Sequence, residues 1–170
     1  MKTVKDVMLP LDDVPTVPPE ATLADAVRAL READENRPAD RPPYRAVLVV
    51  DARGQVLGKL GQLGFLRALE PGWEAPADRA TLDRAGIDPG LLNSIAEHQR
   101  FWQEGVLACC HRAAHRRVTD VLLEATETIP EDTTLQQAIA TMSRLGRLSL
   151  LVRRGSEIVG LLRLSDLFEV

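Results

Sequence analysis

The apolar positions of this chain follow two alternating periods, one of a helix and one of a strand, and the same succession of periods occurs twice. "TVPPEATLADAV" (Thr16 to Val27) aligns with "TIPEDTTLQQAI" (Thr128 to Ile139), sharing Thr, Pro, Thr, Leu and Ala in register. Leu23, Ala26, Val27 and Leu30 fall at the i, i+3, i+4, i+7 spacing of one helical face, and Leu135, Ala138, Ile139 and Met142 repeat it. Thr22 and Thr134 stand where an N-cap belongs, and Gln137, three residues after Thr134, completes a capping-box pattern. Each helix is followed by an apolar run, "AVLVVD" (Ala46 to Asp51) or "LSLLVR" (Leu148 to Arg153). A Gly-bearing turn, "DARG" or "RRGS", then leads to a second run, "QVLGKL" (Gln55 to Leu60) or "EIVGLL" (Glu157 to Leu162). Strands joined by so short a turn are antiparallel neighbours. A short helix closes each copy, Leu63 to Leu69 and Ser165 to Phe168, and "VKDVM" (Val4 to Met8) and "VTDVL" (Val118 to Leu122) recur as lead-in segments.

The pattern predicts an α+β fold of two units, each strand, helix, strand, strand, helix, with the helices covering one face of a small sheet. Units of about 50 to 60 residues are marginal alone, so the copies should pack on each other. Residues 1–70 form the first repeat, 71–117 a helical insertion and 118–170 the second repeat. "ENRPADRPPY" (Glu35 to Tyr44) reads as a surface loop. Between the copies, Asp88 and Pro89 suit the start of a helix carrying Leu91, Leu92 and Ile95, and a further helix is expected from about Gln103 to Arg116. Trp73, Phe101 and Trp102 in this stretch would build a small satellite core or, if exposed, a partner surface.

Composition narrows the classes. At 170 residues, 45% hydrophobic and 27% charged, the chain has the balance of a soluble globular protein. A formal net charge of −4 argues against a surface built to coat nucleic acid or anionic membrane. The N-terminus lacks the apolar stretch of a secretory signal, and no run approaches the roughly 18 to 20 apolar residues of a span, so a cytoplasmic protein is expected. Cys109 and Cys110 are adjacent, which excludes a disulfide framework and suits two small core residues. His111 and His115 share a helix face and with a cysteine could hold zinc. No CxxC or third spaced pair accompanies them, and the arginines Arg112, Arg116 and Arg117 fit a solvated helix end better. Three histidines, no glycine-rich phosphate loop and no nucleophile elbow leave no catalytic constellation, so an enzyme is not expected.

On "VKDVM", "TVPPEATLADAV", "VLVVD" and "VLGKLGQLGFL" in the first copy, and "VTDVL", "TIPEDTTLQQAI", "SLLV" and "IVGLLRLSDLF" in the second, the chain resembles a stand-alone CBS-domain pair, the tandem named for cystathionine beta-synthase. The resemblance implies two β-α-β-β-α CBS repeats packed as a pseudo-twofold pair. It implies a regulatory module, with no cofactor in the catalytic sense, that binds an adenosyl ligand (AMP, ADP, ATP or S-adenosylmethionine) in the cleft between the repeats. A homodimer that signals to a separate effector protein is also implied. Carried over by position, Asp166 is the ribose acceptor, and Arg163 stands where the family has Thr, next to Ser165. Thr128, Ile129 and Pro130 would offer backbone groups to an adenine edge, and Arg147, Leu148 and Ser149 open the middle strand. A carboxylate suits a vicinal diol because it accepts two hydrogen bonds at once. Arg163 could fork onto a ligand phosphate or reach Asp166 itself. In the first copy the Thr and Asp positions fall on Gly61 and Gly64, so one competent site at most is expected. The competing reading is a ligand-free dimerisation or docking scaffold.

Overall fold

The computed structural model describes residues 2–69, 105–122 and 127–168. Its strands are β1 (Leu9–Pro10), β2 (Thr16–Val17), β3 (Ala46–Val50), β4 (Val56–Gly61), β5 (Thr128–Pro130), β6 (Ser149–Arg154) and β7 (Glu157–Arg163). Its helices are α1 (Leu23–Glu35), α2 (Gln62–Leu69), α3 (Val106–Ala114), α4 (Leu135–Leu145) and α5 (Leu164–Leu167). The expected capping chemistry is in place. Thr134 Oγ1 accepts from Gln137 N at 3.3 Å while Gln137 Oε1 accepts from Thr134 N at 3.3 Å. Thr22 makes the same reciprocal pair with Asp25.

β2 runs parallel to β3 and β3 antiparallel to β4; likewise β5 is parallel to β6 and β6 antiparallel to β7. The first repeat's sheet has the order β2-β3-β4 and the second's β1-β7-β6-β5. Successive residues of the middle strands face opposite ways. Val47 and Val49 enter the core beneath α1, and Leu150 and Val152 the core beneath α4. Leu48 and Leu151, on the other faces, meet with Leu9, Val14 and Leu161 in a third core between the two sheets. Covering on both faces is why these strands read as continuous apolar runs rather than alternating ones.

The lead-in segments are exchanged. Thr3 bridges Thr134, Val4 N–H donates to Thr133 O at 2.9 Å, Val4 lies in the core beneath α4, and β1 pairs with β7. Reciprocally Thr22 bridges Arg117, Val118 N–H donates to Ala21 O at 2.9 Å, and Val118 and Val121 complete the core beneath α1. A glycine at the same position of each copy admits the foreign segment. A Cβ on Gly160 would lie 2.6 Å from Leu9 O, and one on Gly58 would lie 2.8 Å from a methyl of Leu122. Each half thus contributes to the core of the other, an arrangement that cuts across a division at the repeat boundaries.

Several expectations need correction. Val27 and Ile139, equivalent positions of the two helices, are exposed, because the buried stripe is narrowed to Leu23 and Ala26 in α1 and to Ala138 and Met142 in α4. Cys109 is buried but Cys110 is exposed. As expected of a solvated helix end, His111 and His115 are both exposed. The loop after α1 lies at the surface, as expected, and is also tied down: Asp34 Oδ1 accepts from Tyr44 N at 2.8 Å, and Pro42 O accepts from Arg163 of the other repeat at 3.4 Å. The helix expected from about Gln103 corresponds to α3, whereas the helix placed after Asp88 and the aromatics Trp73, Phe101 and Trp102 lie outside the described residues.

Candidate functional site

The two repeats enclose a cavity of about 650 Å³ built from equivalent segments of each. From the first come Tyr44, Arg45 and Ala46 leading into β3, Lys59 and Gly61 of β4, and the start of α2. From the second come Gly146 to Ser149 leading into β6, Leu161 and Arg163 of β7, and Leu164, Ser165 and Phe168 around α5. Its size is that of a pocket for a nucleotide-sized molecule.

Of the residues singled out from sequence, Arg147, Leu148, Ser149, Arg163 and Ser165 line this cavity. Asp166 does not; with Arg163 it borders a smaller hollow of about 390 Å³, beside Lys2, Asp6, Asp40 and Arg41. Thr128, Ile129 and Pro130 line neither. They form β5, paired with Leu151, Val152 and Arg153, and Ile129 is buried in the core beneath α4.

Arg163 takes the second of its two possible roles. Its Nε donates to both carboxylate oxygens of Asp166 at 3.0 Å, and its Nη2 donates to Oδ1. Asp166 Oδ2 also accepts the backbone N–H of Arg163 at 3.0 Å, capping α5. The guanidinium is held from the other repeat by the Pro42 carbonyl, and its Cζ lies 5.8 Å from the centroid of the Tyr44 ring. Both side chains are buried. The carboxylate that the resemblance assigns to a ribose is therefore occupied by a charge-assisted, forked interaction with its own chain.

Sequence reasoning missed Lys59. Its equivalent in the second copy is Leu161, so a strand position that is apolar in one repeat carries an ammonium in the other. Lys59 Nζ donates across the repeat boundary to Ser149 O at 2.6 Å and Ser149 Oγ at 2.7 Å. Both acceptors are neutral. Burial pulls the ammonium down to about 8, helped by the like charge of Arg147 and opposed by Glu127. Glu127 lies 3.9 Å from Arg147 in an exposed pair, which contributes little.

Because Lys59 loses its proton earlier in the folded chain than in the unfolded one, the unfolded state holds more protons from about pH 8 towards 10.5, and stability rises through that window. The denaturation midpoint of the wild type, taken relative to a Lys59→Met variant, is expected to increase between pH 8 and 10. A difference that stays flat or falls would show that Lys59 is not desolvated.

The CBS domain model matches residues 4–70 and 118–170, and the chain belongs to the CBS-domain family. Among curated proteins, none matches the sequence. Solved structures share the fold. An uncharacterised conserved protein from Pyrococcus horikoshii is similar with a TM-score of 0.62 and 18% identity, over 98% of this chain and 89% of that one. A CBS-domain containing protein from Agrobacterium tumefaciens gives 0.61 and 18%, over 98% and 91%. CBSX2, solved in complex with AMP, gives 0.60 and 15%, over 99% and 95%. Among the described residues no helix is long and apolar enough to cross a membrane.

Proposed function

We propose that this chain is a regulatory module that binds an adenosyl ligand in the cavity between its CBS repeats and passes the ligand's presence to a separate protein, acting as a homodimer in the cytoplasm rather than as an enzyme. The observation that carries this reading is the inter-repeat cavity of about 650 Å³, lined by Arg147, Leu148, Ser149, Arg163 and Ser165. The AMP held by CBSX2, a neighbour in fold, supports the ligand class. Leu63 on α2 and Phe168 beside α5 border the cavity and are exposed, as is Leu66 on α2, and together they offer apolar surface to a second copy. A ligand spanning both repeats favours one relative packing over another, which is the requirement for a signal.

One observation favours the ligand-free scaffold instead. Asp166 is already bonded to Arg163, so the ribose acceptor expected from the family is not open. Thermal unfolding of the full chain with saturating AMP, ADP, ATP, S-adenosylmethionine or NAD separates the two. Ligand at about 100 times its dissociation constant adds about 2.7 kcal/mol and raises the melting temperature by several degrees. A Gly61→Phe variant should melt normally but lose that response, since the added side chain enters open cavity space, with no atom within 4 Å of its Cβ. No stabilisation by any of the five would leave the scaffold.

A further inference from the structure

The side chains lining the large cavity carry five cations, Arg45, Lys59, Arg67, Arg147 and Arg163, and among the described residues no carboxylate lines it. This concentration of positive charge occurs in a chain whose formal net charge is −4. Asp166 neutralises Arg163 from outside the lining, and Glu127 stands beside Arg147 at the exposed edge. Lys59 has no carboxylate partner among the described residues: two of its three N–H groups go to Ser149, and a third is left for another acceptor. The remaining walls are apolar, with Leu63, Leu148, Leu161 and Phe168 around the same space.

We propose that this cavity reads phosphate: it selects an adenosyl ligand carrying two or more phosphates, the phosphates lying against Lys59 and Arg147 and the base against the apolar wall, and it rejects a cationic adenosyl sulfonium. The proposal rests on the adenosyl reading above and sharpens it. Placing a sulfonium among these cations adds like-charge repulsion, strongest beside the desolvated Lys59. A polyphosphate does the reverse, and it gives the desolvated Lys59 a bonded counter-charge that no described residue provides. The Lys59–Ser149 bond is then the contact that the ligand competes for, so occupancy is felt on β4 of one repeat and β6 of the other together.

The selectivity is pH-dependent. Lys59 binds phosphate in its charged form, and the groups facing it are Arg147 and Ser149 from the start of β6, Glu127 from the segment before β5, and Tyr44 and Arg45 from the segment before β3. Arginines stay charged from pH 7 to 9. A terminal phosphate is already mostly dianionic at pH 7, and the little charge it gains by pH 9 would strengthen binding rather than weaken it. Lys59 is the group that changes.

Isothermal titration of the full chain with adenosine, AMP, ADP, ATP, S-adenosylmethionine and inorganic tripolyphosphate, at pH 7 and pH 9, tests this. Affinity should climb with phosphate number, S-adenosylmethionine should bind no better than adenosine, and ATP should weaken about tenfold at pH 9 as Lys59 loses its charge. Lys59→Met should carry that loss already at pH 7 and show no further change, while Lys59→Arg, which stays charged, should bind ATP equally at both pH values. Adenosine or S-adenosylmethionine binding as tightly as ATP, or an ATP affinity indifferent to pH in the wild type, overturns the phosphate selectivity and leaves the adenosyl site standing. Tripolyphosphate binding with the pH effect but no response to any adenosyl compound upholds the phosphate site and overturns the adenosyl reading. No binding by anything overturns both.

Discussion

An Asp166→Ala variant is expected to lose about 3 kcal/mol or more of unfolding free energy, far beyond the cost of a surface substitution. Asp166 and Arg163 are 9% and 8% exposed, so removing the carboxylate strands a guanidinium away from water. What remains to Arg163 is one long bond to the Pro42 carbonyl at 3.4 Å and the face of Tyr44, neither of which replaces a counter-charge. The substitution also removes the acceptor for the Arg163 backbone N–H at the start of α5. Urea unfolding measures the loss. Adding Arg163→Leu to the same variant should restore most of it, because deleting both partners leaves no uncompensated charge. A single-variant loss below about 1 kcal/mol would place the pair in solvent and reopen Asp166 to a ligand. A ligand response lost on Asp166→Ala would therefore not by itself identify a ligand contact.

The second large effect is at Gly160. A methyl group there would stand 2.6 Å from Leu9 O and 3.0 Å from Met8 Sδ, and the nearer obstacle is backbone, which cannot rotate away. Gly160→Ala must push β1 off the edge of β7 and strain the insertion of Val4 into the core beneath α4. A loss of about 2 to 3 kcal/mol is expected, the upper part of the range for overpacking. Gly58→Ala should cost less, since its obstacle is the flexible end of Leu122, and Gly61→Ala, facing open space, should stay within about 0.5 kcal/mol. Equal losses at Gly160 and Gly61 would mean that β1 is not seated on β7 as described.

Much of this architecture could be read from residues. The caps at Thr22 and Thr134 and the two antiparallel hairpins are local features, and each is written in a few neighbouring positions. The exchange of lead-ins is not local. "VKDVM" and "VTDVL" carry the right apolar residues for a core, but nothing in their order says which of two similar cores they enter. The clue was Gly58 and Gly160, a small residue repeated in the middle of a strand where a close approach is needed. The same aligned strands held the overlooked Lys59. Set against Leu161 it breaks an apolar pattern, which marks a buried charge needing an acceptor, and Ser149 supplies it. Arg163 could be narrowed to two roles, and choosing between them required knowing where Pro42 and Tyr44 come to rest. The loop that carries them has no periodicity to reveal it.

The exchanged arms also govern how the chain can be made. The ribosome delivers α1, β3 and β4 well before Val118 and Val121, the residues that finish the core around them. At about 5 to 20 residues per second the first half waits for seconds with an open apolar face. During synthesis it behaves as an incomplete domain, and the two halves close in one late step, each acting as the other's missing piece.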